Sequence, residues 1–101
     1  MASRLDLQYK LEELLGNKNV YYQPPESLKM RYPAIRYSKD LISSKHADDI
    51  KYTNFDRYEI IVIDNDPDNI VISKILALPR SSFNRHYVSD NLNHDVINLY
   101  F

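Results

Sequence analysis

The sequence has no cysteine and a single glycine, Gly16. Without cysteine there are no disulfides, no thiolate metal sites and no cysteine nucleophile, and the composition is typical of a reducing compartment. The G-x-G-x-x-G and Walker patterns that bind phosphates both require more than one glycine. These two absences therefore exclude phosphate-cradling loops and thiol chemistry.

Long apolar runs and an excess of charge of one sign are also missing. No apolar stretch approaches the roughly 18 residues of a membrane span, and the first residues, MASRLDLQYK, lack the apolar core of a signal peptide. The net charge is −1 and the pI is about 6.3, so there is no general attraction to nucleic acid or anionic lipid. We therefore expect no membrane partner and no specific nucleic-acid binding.

The composition that remains is that of one small globular domain, residues 1–101, with 44% hydrophobic and 27% charged residues. Tyrosine is unusually frequent, with nine tyrosines against three phenylalanines and no tryptophan. Tyrosine is enriched at protein interfaces, and it also has a good propensity for ordinary strand positions. Both interpretations of the tyrosines stay open at this point.

The spacing of apolar residues predicts two helices and five strands. Leu7, Leu11 and Leu14 share one face of a helix over 3–15, which Gly16 ends. A second helix is expected at about 67–78, and strands are expected at 19–23, 31–37, 56–64, 82–88 and 95–101. A long polar arm at about 38–55 separates the second strand from the third. The order α-β-β-(arm)-β-α-β-β predicts an α+β fold with both helices on one face of a mostly antiparallel sheet.

The stretch VIDNDPDNI, residues 62–70, has carboxylates at alternate positions, as a calcium loop does at its start. The glycine that an EF-hand loop requires at its sixth position is replaced by Asn69, and its twelfth-position glutamate by Ile75. A strand-to-helix junction explains the same residues. In that interpretation Asp66 is the N-cap and Pro67 occupies the first helical position.

The remaining polar residues form no recognisable catalytic set. His86 and His94 could meet across the last hairpin, with Asp90 or Asp95 nearby, but no zinc motif is present. Polar residues of this kind are usually part of a turn or a strand surface. We assign no catalytic residue, metal ligand or cofactor, and we predict that the protein is not an enzyme.

The sequence as a whole resembles the small tail-completion or tail-terminator proteins from the neck module of long-tailed bacteriophages. The similarity is clearest in YPAIRY, RYEIIVIDNDPD and DNLNHDVINLYF, and the order of elements supports it along nearly all of the chain. The resemblance implies a structural virion protein with an α+β fold and no cofactor. It implies a ring, a hexamer in this family, that caps the tail tube after assembly in the host cytoplasm.

The resemblance also implies partners: other copies of the chain, the tail tube protein and a head-closure or neck protein. Two alternatives stay open. The first is a head-closure protein that joins head to tail, because the chain is shorter than many terminators. The second is a small intracellular binding or regulatory module.

Candidate contact residues follow from the arm and from the tyrosines. The arm could reach a neighbouring subunit or the tube through Ile50, Tyr52 and Phe55, or it could be an ordinary surface loop. Candidate interface aromatics are Tyr32, Tyr37, Tyr58 and Tyr87, for which packing within the sheet is the alternative.

Overall fold

Two helices and five strands make up the fold in the computed structural model, which describes residues 3–24, 29–41 and 55–101. In chain order these are α1 (Arg4–Leu15), β1 (Val20–Tyr22), β2 (Ala34–Leu41), β3 (Arg57–Asp64), α2 (Val71–Leu76), β4 (Ser81–Ser89) and β5 (Leu92–Tyr100). The order of elements is the predicted one.

The five strands form one sheet with the order β1-β2-β3-β5-β4. The short β1 runs parallel to β2, and every other neighbouring pair is antiparallel. The prediction of an α+β fold with a mostly antiparallel sheet is therefore confirmed. The strand β5 lies between β3 and β4, which leaves β4 at one edge of the sheet and β1 at the other.

The first helix has well-defined ends for reasons that are local to the sequence. Ser3 and Asp6 form a reciprocal capping box, in which the Ser3 hydroxyl accepts from the Asp6 N–H at 3.2 Å and the Asp6 carboxylate accepts from the Ser3 N–H at 3.0 Å. Gly16 ends the helix at φ 84°, a left-handed conformation that suits glycine. Leu7 and Leu11 are fully buried.

Both helices pack on the same face of the sheet, as predicted. The side chains of Leu7, Leu11, Val71 and Ile75 enter one core with the inward residues of the strands. Those strand residues are Val20, Ile35, Tyr37, Tyr58, Ile60, Val62, Ile97 and Leu99. A smaller cluster of Ile61, Ile63 and Val96 lies on the opposite face, covered in part by Met30, Tyr87 and Leu92.

The second helix is shorter than the predicted span of 67–78, and the prediction that Asp66 caps it is wrong. The helix begins at Val71, and no side chain caps it at Ile70. Instead the Asp66 carboxylate accepts a hydrogen bond from the Asp68 N–H at 2.9 Å, which holds residues 66–69 in a turn. The Asn69 side chain then accepts from the Val71 N–H at 2.9 Å, immediately before the helix.

The predicted arm also begins too early. Ser38 and Lys39 belong to β2, where they lie opposite Glu59 and Tyr58 of β3. Residues 42–54 lie outside the residues that the structure describes, and with them the candidate contacts Ile50 and Tyr52.

Candidate interaction surfaces

Two of the tyrosines predicted at an interface are buried inside the protein. Tyr37 and Tyr58 are each 1% exposed, and both belong to the core beneath the helices. The interface interpretation is therefore wrong for Tyr37 and Tyr58, and the alternative, packing within the sheet, holds for both. Strand alternation places them on the covered face, and the sequence does not reveal which face the helices cover.

The buried tyrosines belong to a row of aromatic rings with a cation at each end. The Arg4 guanidinium lies 4.5 Å from the Tyr22 ring centroid, and the Tyr22 and Tyr37 centroids are 5.0 Å apart. Tyr37 and Tyr58 follow at 6.1 Å, and the Lys39 ammonium lies 5.7 Å from the Tyr58 ring. This row fixes α1 against β1 and β2 through cation–π contacts and contacts between tilted rings.

Polar contacts hold Tyr37, in the middle of the row, and Lys39, at one end. The Tyr37 hydroxyl donates to Gln8 Oε1 at 2.5 Å and accepts from Arg4 at 3.3 Å. Burial raises the pKa of Tyr37 and of Tyr58 above the ordinary value of 10.0. The hydrogen bond to Asp56, at 3.2 Å, raises the pKa of Lys39 above 10.5. We call Tyr22, Tyr37 and Tyr58 the tyrosine cluster, and its role is to hold the fold together.

The other candidate aromatics occupy different positions. Phe55 is half-buried, with the Arg80 guanidinium 3.9 Å from its ring centroid. Tyr87 is half-buried against the small cluster on the uncovered face and stacks on His94 at 4.7 Å. Tyr32 is exposed. The structure accounts for Phe55 and Tyr87 by contacts within the chain, and their use at an interface stays a prediction.

The two histidines of the last hairpin do not share a site. His86 lies opposite Asp95, and its Nδ1 is 2.7 Å from an Asp95 carboxylate oxygen. His94 lies opposite Tyr87, one position along, so it is on the other face of the sheet. Within 3–24, 29–41 and 55–101 no three metal-ligating side chains come together.

The most exposed strand is β4, and the sequence pattern does not identify it as an edge. Its side chains are exposed along most of its nine residues, including Phe83 at 48% and Val88 at 63%. Phe83, His86 and Val88 lie opposite Ile97, Asp95 and Asn93 of β5, so they share the helix-covered face. We call these three residues the edge surface. In the sequence of β4, SSFNRHYVS, the one sign of an exposed strand is the set of polar residues between the apolar positions.

A second exposed apolar pair lies on α1. Leu5 and Tyr9 are 50% and 62% exposed, and their spacing of four residues places them side by side on the helix. Because α1 contacts β1, β2 and α2, this pair lies over the half of the sheet that is remote from β4. We call Leu5 and Tyr9 the helix surface.

A shallow cleft on the uncovered face is smaller than the usual site for a drug-sized ligand. It has a volume of about 150 Å³ and is lined in part by Gln23, Arg36 and Glu59. Sites for drug-sized ligands usually measure about 300 Å³ or more. The exposed apolar surfaces are therefore the stronger candidates for function.

Neither helix of the described ranges has the length and apolar character needed to cross a membrane. In comparisons with known proteins, no protein-family model, no curated protein and no solved structure matches this chain.

Proposed function

We propose that this protein is a structural component of the neck of a long-tailed bacteriophage. It forms a ring, a hexamer by the resemblance, that caps the tail tube and provides the docking surface for the head. Its partners are other copies of itself, the tail tube protein and a head-closure protein. In this role it acts by assembly and uses no cofactor.

The observation that supports this proposal is the pair of exposed apolar surfaces on remote parts of the domain. A ring that closes by rotation needs two different surfaces on each subunit, one facing each neighbour. The helix surface, Leu5 and Tyr9, and the edge surface, Phe83, His86 and Val88, are two such surfaces. Exposed apolar residues grouped in this way are characteristic of protein contacts.

The proposal is tested by incubating the purified protein with tail tubes and determining the stoichiometry by mass photometry. We expect a closed ring at one end of each tube, and we expect Tyr9→Glu to weaken its assembly. Lys18→Glu is the matched control, because Lys18 is exposed in the turn after α1 and lies outside both surfaces. A protein that stays monomeric with tubes present at high concentration contradicts the proposal.

Electron microscopy of particles that lack the protein distinguishes the terminator from the alternatives. Overlong tails without heads indicate a terminator. Normal tails beside heads that leak DNA indicate head closure instead. A pull-down from infected cells that recovers host enzymes and no tail protein indicates a regulatory module.

A further inference from the structure

We propose that the free protein forms a two-fold dimer in which β4 pairs antiparallel with β4 of a second copy, centred on His86. Within the described residues β4 has β5 as its only strand neighbour, so its outer edge is open for pairing. The other edge strand, β1, has three residues and cannot match the nine residues of β4. Among the strands of the described ranges, the one that matches β4 in length and has an open edge is β4 itself.

The bulge in β4 determines the register. Phe83 lies opposite Ile97 and Arg85 lies opposite Val96, so Asn84 is the additional residue of the bulge. Counting Asn84 and Arg85 as one position makes the strand symmetric about His86. Phe83 and Val88 are then equally distant from His86, and both are on the helix-covered face. Arg85 and Tyr87 flank His86 on the other face.

The side chains that this register brings together are complementary. Phe83 of each copy lies opposite Val88 of the other, so the dimer covers two pairs of exposed apolar residues. Arg85 of each copy lies opposite Tyr87 of the other, and Arg85 already lies 5.6 Å from the Tyr87 ring within its own chain. A register centred on Arg85 would instead place two guanidinium groups face to face.

The centre of the dimer holds one histidine from each copy. His86 Nδ1 lies 2.7 Å from an Asp95 carboxylate oxygen within each chain, so each ring at the centre already has a polar partner in its own subunit. The strand pairing adds main-chain hydrogen bonds to these side-chain contacts.

This inference goes beyond the ring and does not depend on it. A two-fold contact uses the same surface on both subunits and ends at a dimer, whereas a cyclic ring needs two different surfaces per subunit. A ring contact that uses the edge surface therefore requires the β4 pair to open. Dimerisation of the free protein and assembly on tubes are separate measurements, so either one can fail while the other holds.

The first test is the mass of the free protein by sedimentation equilibrium without tubes. We expect twice the chain mass of 12.0 kDa, falling to 12.0 kDa on dilution. Val88→Lys places an ammonium opposite Phe83 at two symmetric positions, and we expect it to weaken the dimer roughly tenfold or more. Ile70→Lys is the matched control because Ile70 is 68% exposed at the start of α2, outside β4.

A wild-type protein that is monomeric up to its solubility limit overturns the proposal. A dimer that Val88→Lys leaves unchanged also overturns it, as does equal weakening by Ile70→Lys. Tube assays on the wild-type protein then show separately whether the ring forms, since Val88 also belongs to the edge surface.

The second test uses the natural absence of cysteine. In the proposed register Ser82 lies opposite Ser89 of the second copy, so a Ser82→Cys/Ser89→Cys protein should form covalent dimers under mild oxidation. Residues that are directly opposite on antiparallel strands have Cα atoms about 4.5–5.5 Å apart, within the range of a disulfide. Lys18→Cys, exposed and outside β4, should stay monomeric on non-reducing gels. Absence of the covalent dimer from the double variant contradicts the register.

Discussion

The hydroxyl of Tyr37 joins α1 to β2, because it bonds to the side chains of both Arg4 and Gln8. These partners are 33 and 29 residues away in the chain. The high tyrosine content is visible in the sequence, but these long-range contacts are not. For that reason the sequence leaves Tyr37 and Tyr58 open between an interface and packing within the sheet, whereas the fold uses them to attach a helix to the sheet.

Tyr37→Phe should lower the free energy of unfolding by about 1 kcal/mol, because the variant keeps the ring and loses the hydrogen bonds. Urea denaturation of both proteins measures the difference. Tyr9→Phe is the control, since Tyr9 is exposed on α1. It should change stability by less than about 0.5 kcal/mol. Equal effects of the two substitutions would contradict the role given to the Tyr37 hydroxyl.

The tyrosine cluster should make the protein sensitive to alkali. The pKa values of Tyr37 and Tyr58 are raised above 10.0, and that of Lys39 is raised above 10.5. Because each pKa is raised on folding, the stability it contributes is complete below the unfolded value and is lost as pH rises through the folded value. We expect constant unfolding free energy just below pH 10.0 and a steep fall above it.

Denaturation curves across this pH range measure the loss. Tyr37→Phe should reduce its steepness, because that variant removes one of the three groups with a raised pKa. A slope that Tyr37→Phe leaves unchanged would show that groups other than Tyr37 control the alkaline transition.

At the scale of elements, local patterns predict where helices and strands lie better than where they end. Leucine spacing, Ser3 and Gly16 define α1, and alternation defines β3, because these signals lie within the elements or immediately next to them. The predicted start of α2 is too early because Asp66 and Asn69 both have side chains suited to capping, and each accepts from the backbone N–H two residues further on. Only the folded turn shows that the Asn69 side chain is the one next to the helix.

Asn69 should therefore matter more than Asp66 at this junction. Its side chain accepts from the Val71 N–H and donates to the Asp64 carboxylate at 2.7 Å, and Asp64 is buried. We expect Asn69→Ala to cost about 1–2 kcal/mol and Asp66→Ala to cost less than about 0.5 kcal/mol. Thermal unfolding of the two variants compares them. A larger loss of stability for Asp66→Ala than for Asn69→Ala would show that Asp66 is the principal cap.

At the scale of the molecule, sequence patterns did not predict the order of the strands. Each strand was located by its own alternation, but the insertion of β5 between β3 and β4 depends on long-range pairing. The same limit applies to the edge surface. A strand can be recognised as an edge only when its neighbours are known, and for that reason the exposure of β4 was missed.

The central position of β5 makes its last residues essential for the fold. Leu99 is fully buried and lies opposite Tyr58 on one side and Ser81 on the other. We expect removal of residues 98–101 to abolish cooperative unfolding, measured by circular dichroism during heating. Val88→Ala, on the exposed edge strand, is the comparison and should leave the transition intact. A truncated chain that still melts cooperatively would contradict this account of the sheet.

The crossover through α2 has a consequence for biosynthesis. The chain places β3 and β4 on either side of a gap that β5 fills, and β5 is made after both. In a nascent chain that has released β4 but not β5, the edge of β3 remote from β2 and the inner edge of β4 have no partner, so the sheet cannot be completed from the N-terminus onwards. The sheet is therefore completed in one late step, when β5 leaves the ribosome and adds Ile97 and Leu99 to the core. We expect the chain to need chaperones in the cell mainly before that step.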